Sequence, residues 1–418
     1  MIRHIRPPAA FNTPQFRRLF VVTGLGTFAQ GAIFTTLGWV IVEETGSPVL
    51  VSLVIATFLG PQIFAGPLGG AAADRFGRAR VLRAGMAVRV IVTLSLAIGV
   101  AWDPGAIWLI LILNVFGAVI SGATVPARRA LTADVVPRSD LTSAISMEEF
   151  GVTAGFMAAP FATGILLTVL DAEIVLFGVV GLFALASILV PAVARSTPPE
   201  PEGRPMSKAA PGMGVFNVFM DGLRFAWTNP VVRSLLLVGF VGELLAFNYF
   251  TLIPIFTTDV FGGGAALLGS LQSVLSVGEV IGVLALAWIG SRIVNTGRWF
   301  LVGVICAHAI AIPLALATLL PQAFVLLALL GVAGALWGVL QSRVIIEAVP
   351  EHSRARLLGV QQMTWGAGAV GGIASGALAE LFSPAAAVAG LAALGLVLTV
   401  LIAVFSVNLR RSRISPAA

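Results

Sequence analysis

Lysine is almost missing from this chain. Among 418 residues there is one, Lys208, in a Pro- and Glu-rich stretch. A phosphate-binding loop needs a lysine in a G-x-x-x-x-G-K setting, so ATP hydrolysis by that route is excluded. A Schiff-base lysine inside a membrane helix is excluded with it. Cysteine is as scarce: Cys306 stands alone, which rules out an internal disulfide and a Cys-based metal cluster. His4, His308 and His352 are scattered and lack metal-ligand spacing. There is no nucleophile elbow and no H-E-x-x-H pair. No enzymatic chemistry, cofactor or metal is expected. Charge of either sign is also rare, at 11% of residues, where a soluble domain carries about a quarter.

What is present is apolar. Hydrophobic residues make up 58% of the chain, and the mean hydropathy is +1.00. So few charges cannot cover the surface of a soluble fold of this length. The chain reads as an all-α integral membrane protein. A helix needs about 20 apolar residues to cross a bilayer. Twelve such runs occur, roughly at 19–42, 49–73, 81–101, 106–126, 142–168, 172–194, 231–257, 265–289, 299–320, 322–346, 358–380 and 384–408. The polar N-terminus, MIRHIRPPAAFNTPQFRR, does not read as a removable signal peptide.

The net charge of +6 could suggest nucleic acid, but its distribution argues for membrane topology. Every second break between spans, together with both termini and the span edges that adjoin them, holds 24 of the 25 basic residues. The alternate breaks hold none, and carry Glu43, Glu44, Asp103, Asp171, Glu173, Asp259 and Glu380. Cytoplasmic loops are the basic ones, so both termini are expected in the cytoplasm, with the basic side facing anionic lipid headgroups. No nucleic-acid partner is expected. Arginine outnumbers lysine 24 to 1, which suggests a GC-rich bacterial genome and hence the cytoplasmic (inner) membrane. The exception to the alternation, Arg89, lies inside the third span.

One break is long. Residues 195–230 begin as a Pro/Glu-rich linker. They continue as an amphipathic segment with Phe216, Phe219, Leu223 and Trp227 at helical spacing. The expected organisation is a six-helix half over 1–194, the linker over 195–230, and a second half over 231–418. An internal repeat agrees: LTADVVP (131–137) aligns with IIEAVP (345–350), matching Asp134 to Glu347. Likewise TGLGTFAQGAIFTTL (23–37) resembles VGFVGELLAFNYFTL (238–252).

Between the second and third spans lies GGAAADRFGRAR, residues 69–80. Its set Gly70, Asp74, Arg75, Gly77 and Arg78 resembles the G-x-x-x-D-R-x-G-R-R signature of major facilitator superfamily transporters, with Ala79 in place of the second arginine. The resemblance implies a fold of two six-helix halves that rock about a midplane site. It also implies a cytoplasmic gate in which Asp74 faces the start of helix 11, and Arg78 pairs with an acid near the end of helix 4, here Asp134. WVIVEETGSP (39–48), ARRALTADVVP (127–137) and VPEHSRARLLG (349–359) are similar to the drug and siderophore exporters of that superfamily, the macrolide- and enterobactin-efflux type. That branch implies export of amphipathic molecules driven by the proton gradient. Two positions depart from it: Asn114 stands where many antiporters have arginine, and the helix-5 antiporter motif is reduced to Ala159-Pro160-Phe161-Ala162-Thr163-Gly164.

Charge within a span marks function by default. Glu243 in the seventh span is the first proton-coupling candidate and Glu279 in the eighth the second. Glu148, Glu149 and Arg89 follow, with an Arg89–Glu148 or Arg89–Glu149 pair locking helices 3 and 5 as the structural alternative. Gln30, Trp39, Gln62, Asn114, Phe247, Asn248, Tyr249, Gln272, Trp337, Gln341, Gln362 and Trp365 are candidates for the substrate cavity, because aromatic and amide groups suit a large amphipathic ligand. Gln272, Ser276 and Glu279 share one helix face. His308 is expected against lipid or a neighbouring helix. The glycine-rich run 366–376 provides small-residue spacing for close helix contact. The leading expectation is a monomeric proton antiporter that exports amphipathic small molecules. The alternatives are a proton-coupled importer or lysophospholipid-type transporter, and a non-transporting sensor or scaffold.

Overall fold

Proline marks where many of the helices begin. Its fixed φ and missing N–H suit the first turn, and Pro14, Pro48, Pro230 and Pro384 each open a helix. In the computed structural model, residues 9–137, 140–194, 223–246, 248–289, 293–349 and 351–410 are described. They contain helices and no strand. In a bilayer a chain must satisfy its own backbone polar groups, and an α-helix does so within one segment.

The helices are α1 (Pro14–Thr45), α2 (Pro48–Phe76), α3 (Arg78–Trp102), α4 (Ile107–Val135), α5 (Leu141–Leu166), α6 (Ala172–Ala194), α7a (Pro230–Leu245), α7b (Asn248–Ile255), α8 (Ala265–Ile289), α9 (Thr296–Ala315), α10 (Leu320–Ala348), α11 (Glu351–Leu381) and α12 (Pro384–Phe405). Counting α7a and α7b as one, these are the twelve helices of the expected layout. Eleven of the described helical segments are long and apolar enough to cross a membrane. The twelfth expected crossing, 358–380, falls in α11. Of the expected linker over 195–230, residues 195–222 lie outside the described residues.

Caps and turns fix several boundaries. Asn229 accepts from the backbone N–H groups of Val231 and Val232 at 3.0 and 3.2 Å, starting α7a. Ser383 accepts from Ala386 at 3.1 Å, starting α12. Gly77 takes φ +89° between α2 and α3, a conformation open to glycine and strained for other residues.

Several boundaries differ from those read from sequence, and three of them matter most here. α4 continues to Val135 instead of stopping near 126, with Pro126 inside the helix. Arg128 and Arg129 are therefore helical, not loop, residues. The ninth helix ends at Ala315, five residues earlier than its apolar run suggests, because α10 starts at Leu320 with Pro321 in its first turn. The seventh crossing, expected as one helix over 231–257, is in two pieces. There the Asn248 side-chain amide donates to the Leu244 carbonyl at 2.7 Å, and Ala246 is a turn residue.

The chain forms two compact units. One comprises residues 1–44, 61–204 and 264–273; the other comprises 45–60, 205–263 and 274–418. They follow the two sequence halves except that α2 and α8 each contribute part of their length to both. In the first unit α3 packs between α4 and α6. Gly69 and Gly122 bring α2 and α4 into backbone contact. In the second unit α9 packs against α10 and α12, and α7a packs against α11. Trp102, at the end of α3, is 83% exposed and Trp288, at the end of α8, is 86% exposed. Exposed tryptophans at helix ends are typical of the membrane–water interface.

Candidate functional site

In the first unit, the α2–α3 turn carries the signature motif. Gly77 makes the turn, so Arg78 becomes the first residue of α3. Its Nη1 lies 2.5 Å from both carboxylate oxygens of Asp134, near the end of α4. Gly70 lies close to Pro126 of α4, and the Arg75 guanidinium stacks on Phe76 at 5.4 Å. The side chain of Asp74 lies outside the described residues.

The two acids of α5 face two arginines of α4. Glu148 pairs with Arg128 and accepts the Thr132 hydroxyl at 2.5 Å. Glu149 pairs with Arg129 at 3.2 Å on the exposed side. The structure thus differs from an Arg89–Glu148 or Arg89–Glu149 lock. Both acids already have partners, because the extended α4 carries two arginines past the acids of the antiparallel α5. Arg89 is instead 5% exposed in the core of this unit. Its Nη1 donates to the Gly117 carbonyl at 2.8 Å, and its Nη2 to Gln30 Oε1 at 2.5 Å. The Phe183 ring lies 4.4 Å from the guanidinium carbon.

Of the cavity candidates in this unit, Asn114 is buried one turn before Gly117 on α4. Gln62 is half-buried beside Gly122. Trp39 is half-buried, with Gly264 within reach of its ring. Gln272 is buried and accepts the Thr35 hydroxyl at 2.8 Å. Ser273, its neighbour, donates to the Met157 carbonyl. Thr35 and Arg128 escaped the sequence reading. The signal for Arg128 was a second basic residue one helical hairpin away from a second acid.

The second unit gathers the remaining candidates. Glu243 on α7a is half-buried, with a carboxylate oxygen 3.5 Å from where a Cβ at Gly368 of α11 would stand. Glu279 on α8 is half-buried and faces Gly334 of α10. Neither takes part in an ion pair among the described residues. Tyr249 lies within electrostatic reach of Glu279. Its hydroxyl is buried without a hydrogen-bond partner among the described residues, as are Asn248 Oδ1 and Gln341 Nε2. The Trp337 indole donates to Gln341 Oε1 at 3.0 Å. Gly239 and Gly242 of α7a make room for Gln341 and Trp337. Buried polar groups are normally paired, so these three, without partners among the described residues, have bonding capacity left for water or for a polar group. Phe247 and the side chains of Gln362 and Trp365 lie outside the described residues.

His308 on α9 is fully buried, with Nδ1 2.8 Å from the Val304 carbonyl and its ring against Gly395 of α12. Of the two settings expected for it, it meets a neighbouring helix. The internal repeat is visible in side chains too. Glu347, near the end of α10, accepts from Thr296 at 3.0 Å and from Arg343 at 2.7 Å. Thr296 is the first residue of α9, as Arg78 is of α3. In each unit the aligned acid therefore ties the end of one helix to the start of the preceding one.

A family model described as the Major Facilitator Superfamily matches residues 19–372. The chain is 26% identical over 360 residues to the multidrug efflux pump Tap of Mycolicibacterium fortuitum, covering 84% of this chain and 86% of the pump. It is 25% identical over 418 residues to the enterobactin exporter EntS of Shigella boydii, covering 96% of this chain and 94% of the exporter. Among solved structures it resembles the nucleoside transporter NupG with a TM-score of 0.69 at 15% identity, covering 96% of this chain and all of that one. This last likeness is one of fold alone. With twelve helices in two halves, the signature turn in place and a family match over most of its length, the chain is a multi-pass membrane transporter, not an enzyme, and belongs to the Major Facilitator Superfamily.

Proposed function

We propose that the protein exports amphipathic small molecules from the bacterial cytoplasm by proton antiport, with both termini cytoplasmic. The relatives named as a multidrug efflux pump and as an enterobactin exporter support the export reading. The observation that carries proton coupling is the pair Glu243 and Glu279. Both are carboxyls inside the second unit, with no basic partner among the described residues.

A carboxyl in the membrane interior is costly and persists where it serves transport. An antiporter needs a group that takes up a proton when substrate leaves and gives it up when substrate binds. Glu243 stands three residues before the turn at Ala246 that ends α7a, and just beyond it the Asn248 amide donates to the Leu244 carbonyl. Asn248, Tyr249 and Gln341 supply the uncharged polar surroundings. The gate is the turn around Gly77, with Arg78 and Asp134 holding α3 to α4. Alternating access needs no cofactor beyond the proton gradient.

The test is transport in liposomes under an imposed pH gradient. Vesicles that are acidic inside should accumulate an amphipathic dye when the wild-type protein is present. Glu243→Gln should lose the gradient-driven part of that flux while keeping dye binding. Full gradient-driven accumulation by Glu243→Gln would move the proton site elsewhere, with Glu279→Gln as the next variant. Accumulation that follows inward proton flow instead would favour an importer.

A further inference from the structure

One face of α3 is charged at one end and apolar over the rest of its length. Leu82, Met86, Arg89, Thr93 and Leu96 make the buried face, and α3 packs against α4 and α6. On the opposite side Arg80 and Arg83 are exposed, followed by Ala84, Ala87, Ile91 and Ile98, and Trp102 closes the row. A helix turns by about 100° per residue, which puts all of these on one side. From Arg80 to Trp102 the helix rises about 33 Å, close to the depth of a bilayer's hydrocarbon core. An exposed apolar face of that length belongs against lipid. The two arginines then stand at one membrane surface, the one that the basic residues assign to the cytoplasm, and Trp102 stands at the other.

Neither Arg80 nor Arg83 takes part in an ion pair or a side-chain hydrogen bond among the described residues. α3 itself contains no acid. α6 has its one acid, Glu173, in the first turn, at the far end from the arginines. The acids on their side are engaged elsewhere: Asp134 with Arg78, Glu148 with Arg128, and Glu149 with Arg129. Just below the arginines the surface is built of small side chains, Ala84 and Ala87. The third and sixth crossings run in opposite directions, so the end of α6 lies level with the start of α3. Ile188, 72% exposed, is six residues from the end of α6, and Ala84 is six residues from the start of α3. A large apolar side chain of α6 thus stands at the depth of the alanines.

We propose that this end of α3 binds one anionic phospholipid, with its phosphate on Arg80 and Arg83 and an acyl chain over Ala84, Ala87 and Ile91. A guanidinium offers paired N–H donors that match phosphate oxygens, and residues at i and i+3 are neighbours on a helix surface. The two arginines can therefore meet one headgroup together. The apolar face below them is reached by a membrane component and not by a soluble one. A zwitterionic lipid brings its own cation beside the phosphate, so two unneutralised arginines favour a headgroup with net negative charge. The proposal rests on the cytoplasmic placement of the arginines, not on export or proton coupling.

The experiment offers the purified full-length protein, in detergent, an equimolar mixture of palmitoyl-oleoyl phosphatidylglycerol and palmitoyl-oleoyl phosphatidylcholine. The two differ in headgroup charge and share their chains. Native mass spectrometry reads which lipid the protein retains first. The wild type should favour phosphatidylglycerol by about fivefold or more, the scale of a basic residue close to an anionic lipid surface. Arg80→Gln combined with Arg83→Gln should bring the two lipids to equal retention at an unchanged unfolding temperature. Arg298→Gln removes an arginine that is also exposed, at the start of α9, and should leave the preference intact. An equal loss in Arg298→Gln would show diffuse attraction to the basic side, and no preference in the wild type would show no site; either overturns the proposal. Glycerophosphoglycerol, the headgroup without chains, should fail to displace the lipid. Displacement at equal concentration would mean that a free phosphate suffices, which also overturns it. The exporter reading fails separately: the lipid preference would stand, yet no pH gradient would drive dye flux in liposomes.

Discussion

Glu148 accepts from Arg128 and from the Thr132 hydroxyl inside the α4–α5 contact, whereas its neighbour Glu149 meets Arg129 at the surface. The first pair is 12% and 5% exposed; the second is 56% and 51% exposed. Chemistry and sequence spacing are the same in both, so burial alone should separate their energetic effects. Removing one partner of a buried pair leaves an uncompensated charge, at a cost of about 3 kcal/mol. Removing one partner of an exposed pair costs under about 1 kcal/mol, because water and ions screen it. Glu148→Ala is therefore expected to lower the unfolding temperature in detergent clearly, and Glu149→Ala to leave it nearly unchanged. Equal losses would mean that the environment of Glu148 is wetter than the structure has it. The sequence offers both acids as proton-coupling candidates, and it cannot distinguish them. The difference arises from which arginine the α4 helix turns inward, and that depends on α4 running past Pro126. Arg89 is a similar case: its position inside a span is plain from the sequence, but its neutral partners come from α1, α4 and α6 and have no local signature.

At the scale of helices, glycine decides which pairs approach closely. A Cβ at Gly278 of α8 would collide with the Ala328 carbonyl of α10, and one at Gly331 would collide with the backbone of α8. Gly338, on the same α10 helix, has open space around it. Overpacking a tight contact costs about 1–3 kcal/mol, while Gly→Ala in a helix with free space is neutral or stabilises by up to about 1 kcal/mol. Gly278→Ala should accordingly unfold at a lower temperature than the wild type, and Gly338→Ala at the same or a higher one. A fall of equal size in both would show that helix propensity, not the α8–α10 contact, governs these glycines. The crossings themselves were readable, since twenty apolar residues have few other uses. What the apolar runs could not reveal was the division of the seventh crossing into α7a and α7b. Hydropathy is continuous through 231–257, and the turn at Ala246 has no glycine or proline to announce it. Nor could they distinguish a glycine that touches another helix from one that faces open space.

For the whole molecule, the strongest signal in the sequence is the sidedness of its basic residues, and it gives a prediction that is independent of every contact above. Twenty-four of 25 basic residues fall on one side of the expected topology. The structure adds the aromatic ends: Trp102 at the C-terminal end of α3 and Trp288 at the C-terminal end of α8, both exposed. Translocation leaves arginine-rich loops behind in the cytoplasm, so the α3–α4 loop with Asp103 should lie outside the cell and the α8–α9 loop inside. Cys306 is the only cysteine, and its replacement by alanine gives a background free of thiols. In that background Asp103→Cys should react with a membrane-impermeant maleimide on intact cells. Val294→Cys, at an exposed position between α8 and α9, should react only after the membrane is permeabilised. The reverse pattern would invert the topology and with it the direction in which Glu243 and Glu279 meet the proton gradient, turning the same carboxyls from the machinery of an exporter into that of an importer.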